Sequence, residues 1–281
     1  MLGLMRHNVL VDGVEADAGW LRERAFQFGD GLFETIAILD ETPCLWEAHM
    51  ARLNEGCRRL RLPQPDFKRL AEEGRRLCAG QDRAVLKIFW TAGLSERGYR
   101  RPTDIRPQRI LRRSNWPQTA QRWTVRQCSH RLGENPGLAE IKHLNRLDQV
   151  VARSEWGNSR IDEGLMLGQD GRVVCGTMSN VFVQQGQTLL TPAVDGAGIA
   201  GVVRHLALET GKRSGNPVCV GAVSLEDVRT ADALYLSNSL IGVVRVKRYE
   251  SIDYPDISEH AVIAETRRLC HQAEPWGFGH E

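Results

Sequence analysis

The chain has 281 residues, 42% of them hydrophobic and 26% charged, with a formal net charge of +2. That is the make-up of a globular protein with room for two domains, and it excludes a disordered or collagen-like chain. It also excludes a field suited to nucleic acid: RRLRLP, RGYRRPTDIRPQR and ILRRSN carry their arginines among acids, with few aromatics.

The start, MLGLMRHNVLVDG, has too short an apolar segment for a signal peptide, and no apolar run approaches the ~18 residues of a membrane span. Residues 8–45 read as short strands around turns, with NVLVDG, LFETIAIL and TPCLW as the candidates. WEAHMARLNEGCRRLRL then reads as a helix with Met50, Leu53, Cys57 and Leu60 on one face. FKRLAEEGRRLCAG is a second helix, which Gly80 caps, and AVLKIFWTAG and QRILRRS are strands. The polar stretch 115–121, NWPQTAQ, divides a smaller N-terminal domain (1–115) from a larger, strand-rich one (122–281). The second part opens with the strand WTVRQCSH. Further on, the turns QDG and QQGQ separate alternating runs in EGLMLGQDGRVVCGTMSNVFVQQGQTLLTP. A helix VVRHLALETG follows a glycine-rich turn, and ADALYLSNSLIGVVRVKRY gives two more strands. Strands linked mostly by hairpins predict an α+β fold with mixed sheets, not a doubly wound parallel sheet.

Seven cysteines, an odd number without paired spacing, read as the reduced thiols of a cytoplasmic protein. Cys128 with His130 is too small a set for a metal site.

Of 37 basic residues only five are lysines: Lys68, Lys87, Lys142, Lys212 and Lys247. An amine can lose its proton and become a nucleophile; a guanidinium effectively cannot. Lys68 falls on a charged helix face, Lys212 in a loop and Lys247 among charges at a strand end. Lys87 interrupts AVLKIFW and suits the solvated face of a strand. Lys142 remains, in AEIKHLNRLDQVVARSEW (139–156), where Leu144, Leu147, Val150 and Val151 recur at helical spacing. That pattern predicts an amphipathic helix of about three to four turns, with Lys142 at its junction with an extended LAEI. On spacing alone, a solvated residue in a first turn is the reading that wins.

GAGIAG, residues 196–201, matches G-x-G-x-x-G, but TPAVD precedes it and no well-placed acid follows, so a dinucleotide site is not predicted. Glycines leading into a helix still expose N–H groups, here those of Val202 and Val203, that can hold a phosphate. QFGDGLFETI puts Gly29, Asp30 and Gly31 before a strand, as in an ordinary hairpin. His49 and Arg52 lie three apart on one helical face, and SNSL offers the Ser239 hydroxyl in what also reads as a turn.

Taken in order, GDGLFET, His-x-x-Arg-Leu, KHLNRLDQV, GRVVCGTMSNVF, GIAGVVR and SNSLIGVV resemble the fold-type IV pyridoxal-phosphate enzymes over about residues 8–246. That family includes branched-chain and D-amino-acid transaminases and the aminodeoxychorismate lyases. KHLNRLDQ and RGYRRP resemble the lyases most; a D-amino-acid or branched-chain aminotransferase is the alternative. The resemblance implies a two-domain enzyme with pyridoxal 5′-phosphate in the interdomain cleft. It implies a homodimer whose partner closes the site over a small-molecule substrate, with no nucleic-acid or membrane role. It makes Lys142 the lysine that joins the coenzyme covalently, anchored by Leu144, Leu147 and Val151 of the helix behind it. Arg52 grips the phosphate, and Val202, Val203, Ser239 and Leu240 supply further donors. For a lyase, Lys142 also moves the protons while 4-amino-4-deoxychorismate yields 4-aminobenzoate and pyruvate for folate synthesis. Thr35 orients the leaving group, and Arg97 with Tyr99 meets the substrate carboxylates.

Two positions depart from the family. Ala92 stands where an arginine is common. Cys175 stands where the family has a glutamate facing the pyridine nitrogen, and a thiol is a poor substitute for that carboxylate. A degenerate coenzyme-binding protein without activity is therefore a further alternative.

Overall fold

The computed structural model describes residues 10–12, 14–15, 19–118, 120–157 and 160–277. A hairpin of β1 (Leu10–Val11) and β2 (Val14–Glu15) falls on the first expected strand, NVLVDG, of which residues 8, 9 and 13 lie outside the described residues. A helical turn over Gly19–Arg22 and the short helix α1 (Arg24–Phe28) lead into β3 (Gly31–Leu39). Alternation turns Leu32, Glu34, Ile36 and Ile38 of β3 onto one buried face. After β4 (Thr42–Pro43) come α2 (Trp46–Leu60) and α3 (Phe67–Cys78). α2 lays Trp46, Met50, Leu53 and Cys57 on that face at helical spacing. Asp66 caps α3 by accepting from the Arg69 amide at 3.0 Å, and Gly80 stands just past its end at φ +73. With β5 (Arg83–Thr91) and β6 (Gln108–Asn115) this unit is a four-stranded antiparallel sheet, ordered β4-β3-β5-β6.

The rest of the chain builds a nine-stranded mixed sheet. Its elements are β7 (Arg122–Leu132), α4 (Leu147–Arg153), β8 (Glu163–Gly168), β9 (Val173–Gly176), β10 (Asn180–Gln185) and β11 (Thr188–Pro192). Then follow α5 (Val202–Arg213), β12 (Cys219–Gly221), α6 (Leu225–Arg229), β13 (Ala233–Asn238), β14 (Gly242–Tyr249), β15 (Ile252–Asp253) and α7 (Ala261–Leu269). The order is β12-β11-β10-β13-β14-β7-β8-β9, with β15 on β14. QDG and QQGQ close the expected hairpins β8–β9 and β10–β11, while β11–β12, β14–β7 and β7–β8 run parallel. α5 and α7 pack Val203, Ala207 and Ile263 on Phe182 and Tyr235; the opposite face sets Val228 against Leu234 and Leu236. The α+β expectation with mixed sheets holds.

The two sheets meet at the segment before α4, where Lys142 precedes a helix as expected, but that helix, Leu147–Arg153, starts later and makes about two turns instead of three to four. Residues 139–144 are not helical: Glu140 stands at φ +70, isolated bridges form at Glu140 and His143, and the segment is hydrogen-bonded on both sides. The Phe33 amide donates to the Lys142 carbonyl and the Leu144 amide to Gly31 (both 3.0 Å). The Glu140 amide donates to Gly198 (3.0 Å) and the Ala200 amide to Glu140 (2.9 Å). A helix would need those same groups for its own ladder. Arg59 fixes the approach, donating to Ala139 (2.7 Å) and Pro136 (2.6 Å). The apolar stripe that was to anchor Lys142 faces outward instead: Leu147 is 76% exposed, Val150 56% and Val151 50%. Only Leu144 packs inward; a Cβ added to Gly31 would stand 2.9 Å from its methyl.

Candidate active site

A cavity of about 310 Å³ lies at this junction. Of the ten residues singled out from the sequence, eight line it: Thr35, Arg52, Lys142, Cys175, Val202, Val203, Ser239 and Leu240. They come from both sheets, joined by the stitching around Lys142.

The Lys142 amine stands 4.4 Å from the centroid of the Phe33 ring. Burial above all, then the Arg52 charge, lowers its pKa from 10.5 to about 7; Glu34 pulls the other way. Far more of it is therefore a free amine at neutral pH than for an ordinary lysine.

Arg52 is held as a rigid fork. Its Nε and Nη2 donate to the Glu34 carboxylate at 2.9 and 2.6 Å, and Nη1 donates to the Ala200 carbonyl at 3.1 Å. Glu34 also accepts from His49 Nδ1 at 2.6 Å. Burial would raise the Glu34 pKa, but Arg52 and His49 outweigh it and hold the group at about 2. His49 is fully buried and its pKa is lowered, chiefly by burial, so it donates as a neutral imidazole. Of the five guanidinium N–H donors, one on each Nη remains for a ligand.

Facing that fork is the start of α5. Its N-cap Gly201 has no capping side chain, so the first-turn amides of Val202 and Val203 are left for another acceptor. A Cβ at Gly201 would sit 2.0 Å from Asn180 Oδ1, so any other residue here would have to displace the side chain that bonds Ile199. The expectations for Ser239 and Leu240 need correction. The Ser239 hydroxyl donates to the Thr35 carbonyl at 2.6 Å, and the Leu240 amide donates to Asn238 Oδ1 at 2.9 Å. The donor the sequence missed is Ser237, whose hydroxyl lines the cavity, is buried and has no partner. An orphaned hydroxyl, two free helix amides and a preorganised guanidinium are the donor set of a phosphate dianion. With the amine of Lys142 beside them, these residues fit pyridoxal 5′-phosphate.

Arg97 and Tyr99 are not brought here. They line a separate surface depression with Arg22, Phe28 and Glu96, and Tyr99 is 86% exposed. Arg24 holds that loop by donating to the Gly98 (3.2 Å) and Tyr99 (2.8 Å) carbonyls while bonding Asp30 (2.7 Å), which turns both side chains outward.

Lys87 is also not where the sequence put it. It is half-buried, with its amine 4.8 and 4.9 Å from the Phe33 and Phe89 ring centroids, and its pKa is lowered by burial, with Arg112 adding. It pairs with Thr35 across β3 and β5, so the face opposite the core is the roof of the cleft. Cys175 is 5% exposed, and burial pushes its thiol up to about 12. Near it, Arg146 reaches the Nε2 of His143 with Nη2 and leaves its own Nε buried without a partner. Burial, with Arg146 adding, lowers the His143 pKa to about 4, so that ring is neutral. His130, two residues from Cys128, bonds Asp148 at 2.8 Å.

Comparison with known proteins places this geometry. The amino-transferase class IV family model matches residues 31–249. An aminodeoxychorismate lyase of Vibrio harveyi is 31% identical over 245 residues, 84% of this chain and 90% of that one. The crystal structure of 4-amino-4-deoxychorismate lyase from Pseudomonas aeruginosa superposes with a TM-score of 0.81 at 39% identity, covering 91% of this chain and 93% of that one. A hypothetical aminotransferase from Mycobacterium tuberculosis in a PLP-bound form shares the fold, with a TM-score of 0.77 at 22% identity over 93% and 95% of the two chains.

Proposed function

Because the chain belongs to the amino-transferase class IV family, we propose that it is a pyridoxal-phosphate-dependent lyase converting 4-amino-4-deoxychorismate to 4-aminobenzoate and pyruvate. The observation that carries this is the Lys142 amine in the cavity wall beside a phosphate cradle, in a chain most like aminodeoxychorismate lyases among the relatives described above.

The bound coenzyme supplies an electron sink at the substrate's amine-bearing carbon. The protein's own part starts with Arg52, the amides of Val202 and Val203 and the hydroxyl of Ser237, which hold the phosphate. Glu34 and His49 keep Arg52 aimed. Lys142, poised near neutrality, takes the proton from the amine-bearing carbon and returns one to the departing enolpyruvate. Phe33 keeps water from that amine. Thr35 orients the leaving group, and Lys87, beside Thr35, meets a substrate carboxylate.

The Leu147, Val150 and Val151 stripe, together with Met178 at 55% exposure, supports a homodimer. In it the Arg97 and Tyr99 loop of a second copy closes the cleft and adds charge for the substrate's carboxylates. The division into domains at 1–115 and 122–281 follows the two sheets, with the coenzyme between them. Among the described residues no helix is long and apolar enough to cross a membrane, which fits a cytoplasmic enzyme of folate synthesis.

Cys175 favours a second reading, a coenzyme binder without turnover. One assay separates them: the purified protein is given aminodeoxychorismate, and separately D-alanine or a branched-chain amino acid with a keto acid. Release of 4-aminobenzoate supports the lyase. Brisk keto-acid exchange without it makes the protein an aminotransferase, and silence in both makes it a binder.

A further inference from the structure

Among the described residues that line the Lys142 cavity there is no aspartate and no glutamate. The ionisable groups on its wall are Arg52 from α2, Lys142 and Arg146 from the segment joining the sheets, and Cys175 from β9. Lys87 of β5 stands behind Phe33. Two carboxylates are buried nearby, and both are saturated. Glu34 holds Arg52 and His49. Glu163, fully buried on β8, accepts the amides of Gly164 (2.9 Å), Thr177 and Met178 (both 3.1 Å) and the hydroxyls of Thr177 and Ser179.

Arg146 stands out for the opposite reason. It is a guanidinium in the cavity wall whose one hydrogen-bond partner in the described structure is neutral His143, with its Nε buried and unpaired. It lies close enough to Cys175 for each to act on the other's ionisation. Burial keeps that thiol protonated, so it brings no negative charge to offset the guanidinium.

The ring of pyridoxal phosphate is tied at two neighbouring carbons, one bearing the aldehyde and one the phosphate arm. Its nitrogen lies across the ring from the aldehyde carbon and so faces a wall that neither Lys142 nor the phosphate cradle provides. A protonated ring nitrogen is a buried cation and needs an anion beside it. Whichever part of the remaining wall it meets, the neighbour here is neutral or cationic.

We propose that this protein holds its coenzyme as an uncharged pyridine, and that Arg146 together with the un-ionised Cys175 sets that state and thereby the choice of reaction. A neutral ring is a weak electron sink. It serves an elimination, in which the leaving group accepts the electrons, and it serves poorly for amino transfer, in which the ring must hold them. Arg146 is thus a specificity-determining residue for the lyase reaction proposed above, on whose coenzyme reading this inference rests.

The test uses the holoenzyme loaded with pyridoxal phosphate labelled at the ring nitrogen, read by nitrogen NMR. The expected resonance is that of a neutral pyridine throughout the neutral pH range. Cys175→Glu and, separately, Arg146→Met should each move it toward the pyridinium position. A second measurement does not depend on either variant folding well. Coenzyme methylated at the ring nitrogen carries a fixed positive charge and should compete for the wild-type apoprotein at least about tenfold worse than the ordinary coenzyme, the factor equivalent to one pKa unit. A pyridinium resonance in the wild type, or equal binding of the methylated coenzyme, overturns the proposal. Failure to take up ordinary coenzyme overturns the underlying reading as well.

Discussion

Phe33 and Lys142 are joined at both backbone and side chain: the Phe33 amide donates to the Lys142 carbonyl at 3.0 Å, and the Lys142 amine stands 4.4 Å from the Phe33 ring centroid. The lysine is thus fixed at its root and steadied at its tip, which lowers the ordering cost when it reacts. The ring face favours the ammonium form by ~0.5–2 kcal/mol, yet the amine is driven down to about 7. Burial and the neighbouring cations therefore win.

Capture of the coenzyme aldehyde by the apoprotein should follow that balance. Its rate should rise as pH increases through about 7 and level off above, well below the 10.5 of an ordinary lysine. The sign for stability is the same: between these values the unfolded chain holds the proton and the folded chain does not, so the apoprotein gains stability as pH rises across the window. Stopped-flow absorbance gives the rate. Borohydride reduction and peptide mapping should put the adduct on Lys142; an adduct on Lys87 or Lys212 would sink the assignment. Lys142→Ala should bind the coenzyme only non-covalently and turn nothing over.

Arg52→Ala should act twice. Loss of the phosphate contact weakens coenzyme binding by about 1.5–3 kcal/mol. Leaving Glu34 buried without its cation lowers folding stability by about 3–5 kcal/mol. Adding Glu34→Gln to Arg52→Ala should recover part of the stability and none of the affinity. Equilibrium dialysis and urea melts on the same samples separate the two effects. An unchanged coenzyme dissociation constant would reduce Arg52 to a staple between α2 and Ala200.

Cys175→Glu should leave lyase turnover within about tenfold, ~1.4 kcal/mol of barrier, because aromatisation of the product ring lowers the demand on the coenzyme. The slow side reaction that converts the coenzyme to its amine form should speed up. Fluorescence of 4-aminobenzoate and loss of the visible coenzyme band report both rates on one sample. A wild type that transaminates briskly and makes no 4-aminobenzoate contradicts this.

Leu147→Glu combined with Val151→Glu should turn a dimer into a monomer, read by light scattering, with little change in the melting of the single chain, since both residues are at least half exposed. A variant that stays dimeric would place the subunit contact elsewhere.

The sequence exposed the architecture well where burial is local. β3, α2 and α5 each carry their period in their own residues, and Lys142 stood out because so few lysines compete with it. The errors share a different cause. Leu147, Val150 and Val151 have helical spacing, and spacing reveals an apolar face but not what covers it. Lys87 sits opposite the core residues Leu86 and Ile88, and alternation cannot tell open water from the roof of a cleft. Arg97 is a different matter: Arg24 ties its loop away from Lys142 within the one chain, and the role proposed for it needs a second copy to bring it to the cleft. Ser237 was hidden in a run of small polar residues; that its hydroxyl lacks a partner is knowable only from the packing around it.

The stitching of residues 139–144 between Gly31, Phe33 and the 198–200 turn joins the sheets along a seam of backbone bonds, helped by Arg52 reaching Ala200, Arg59 reaching Ala139 and Ser239 reaching Thr35. A ligand that fills the cavity touches both sides of that seam, and every tenfold excess over its dissociation constant adds about 1.4 kcal/mol to the folded state. The unfilled chain is correspondingly easier to open and to digest. How long each molecule survives in a cell would then track the supply of the vitamin from which its coenzyme is made, so that starvation for the vitamin thins out the protein itself as well as its activity.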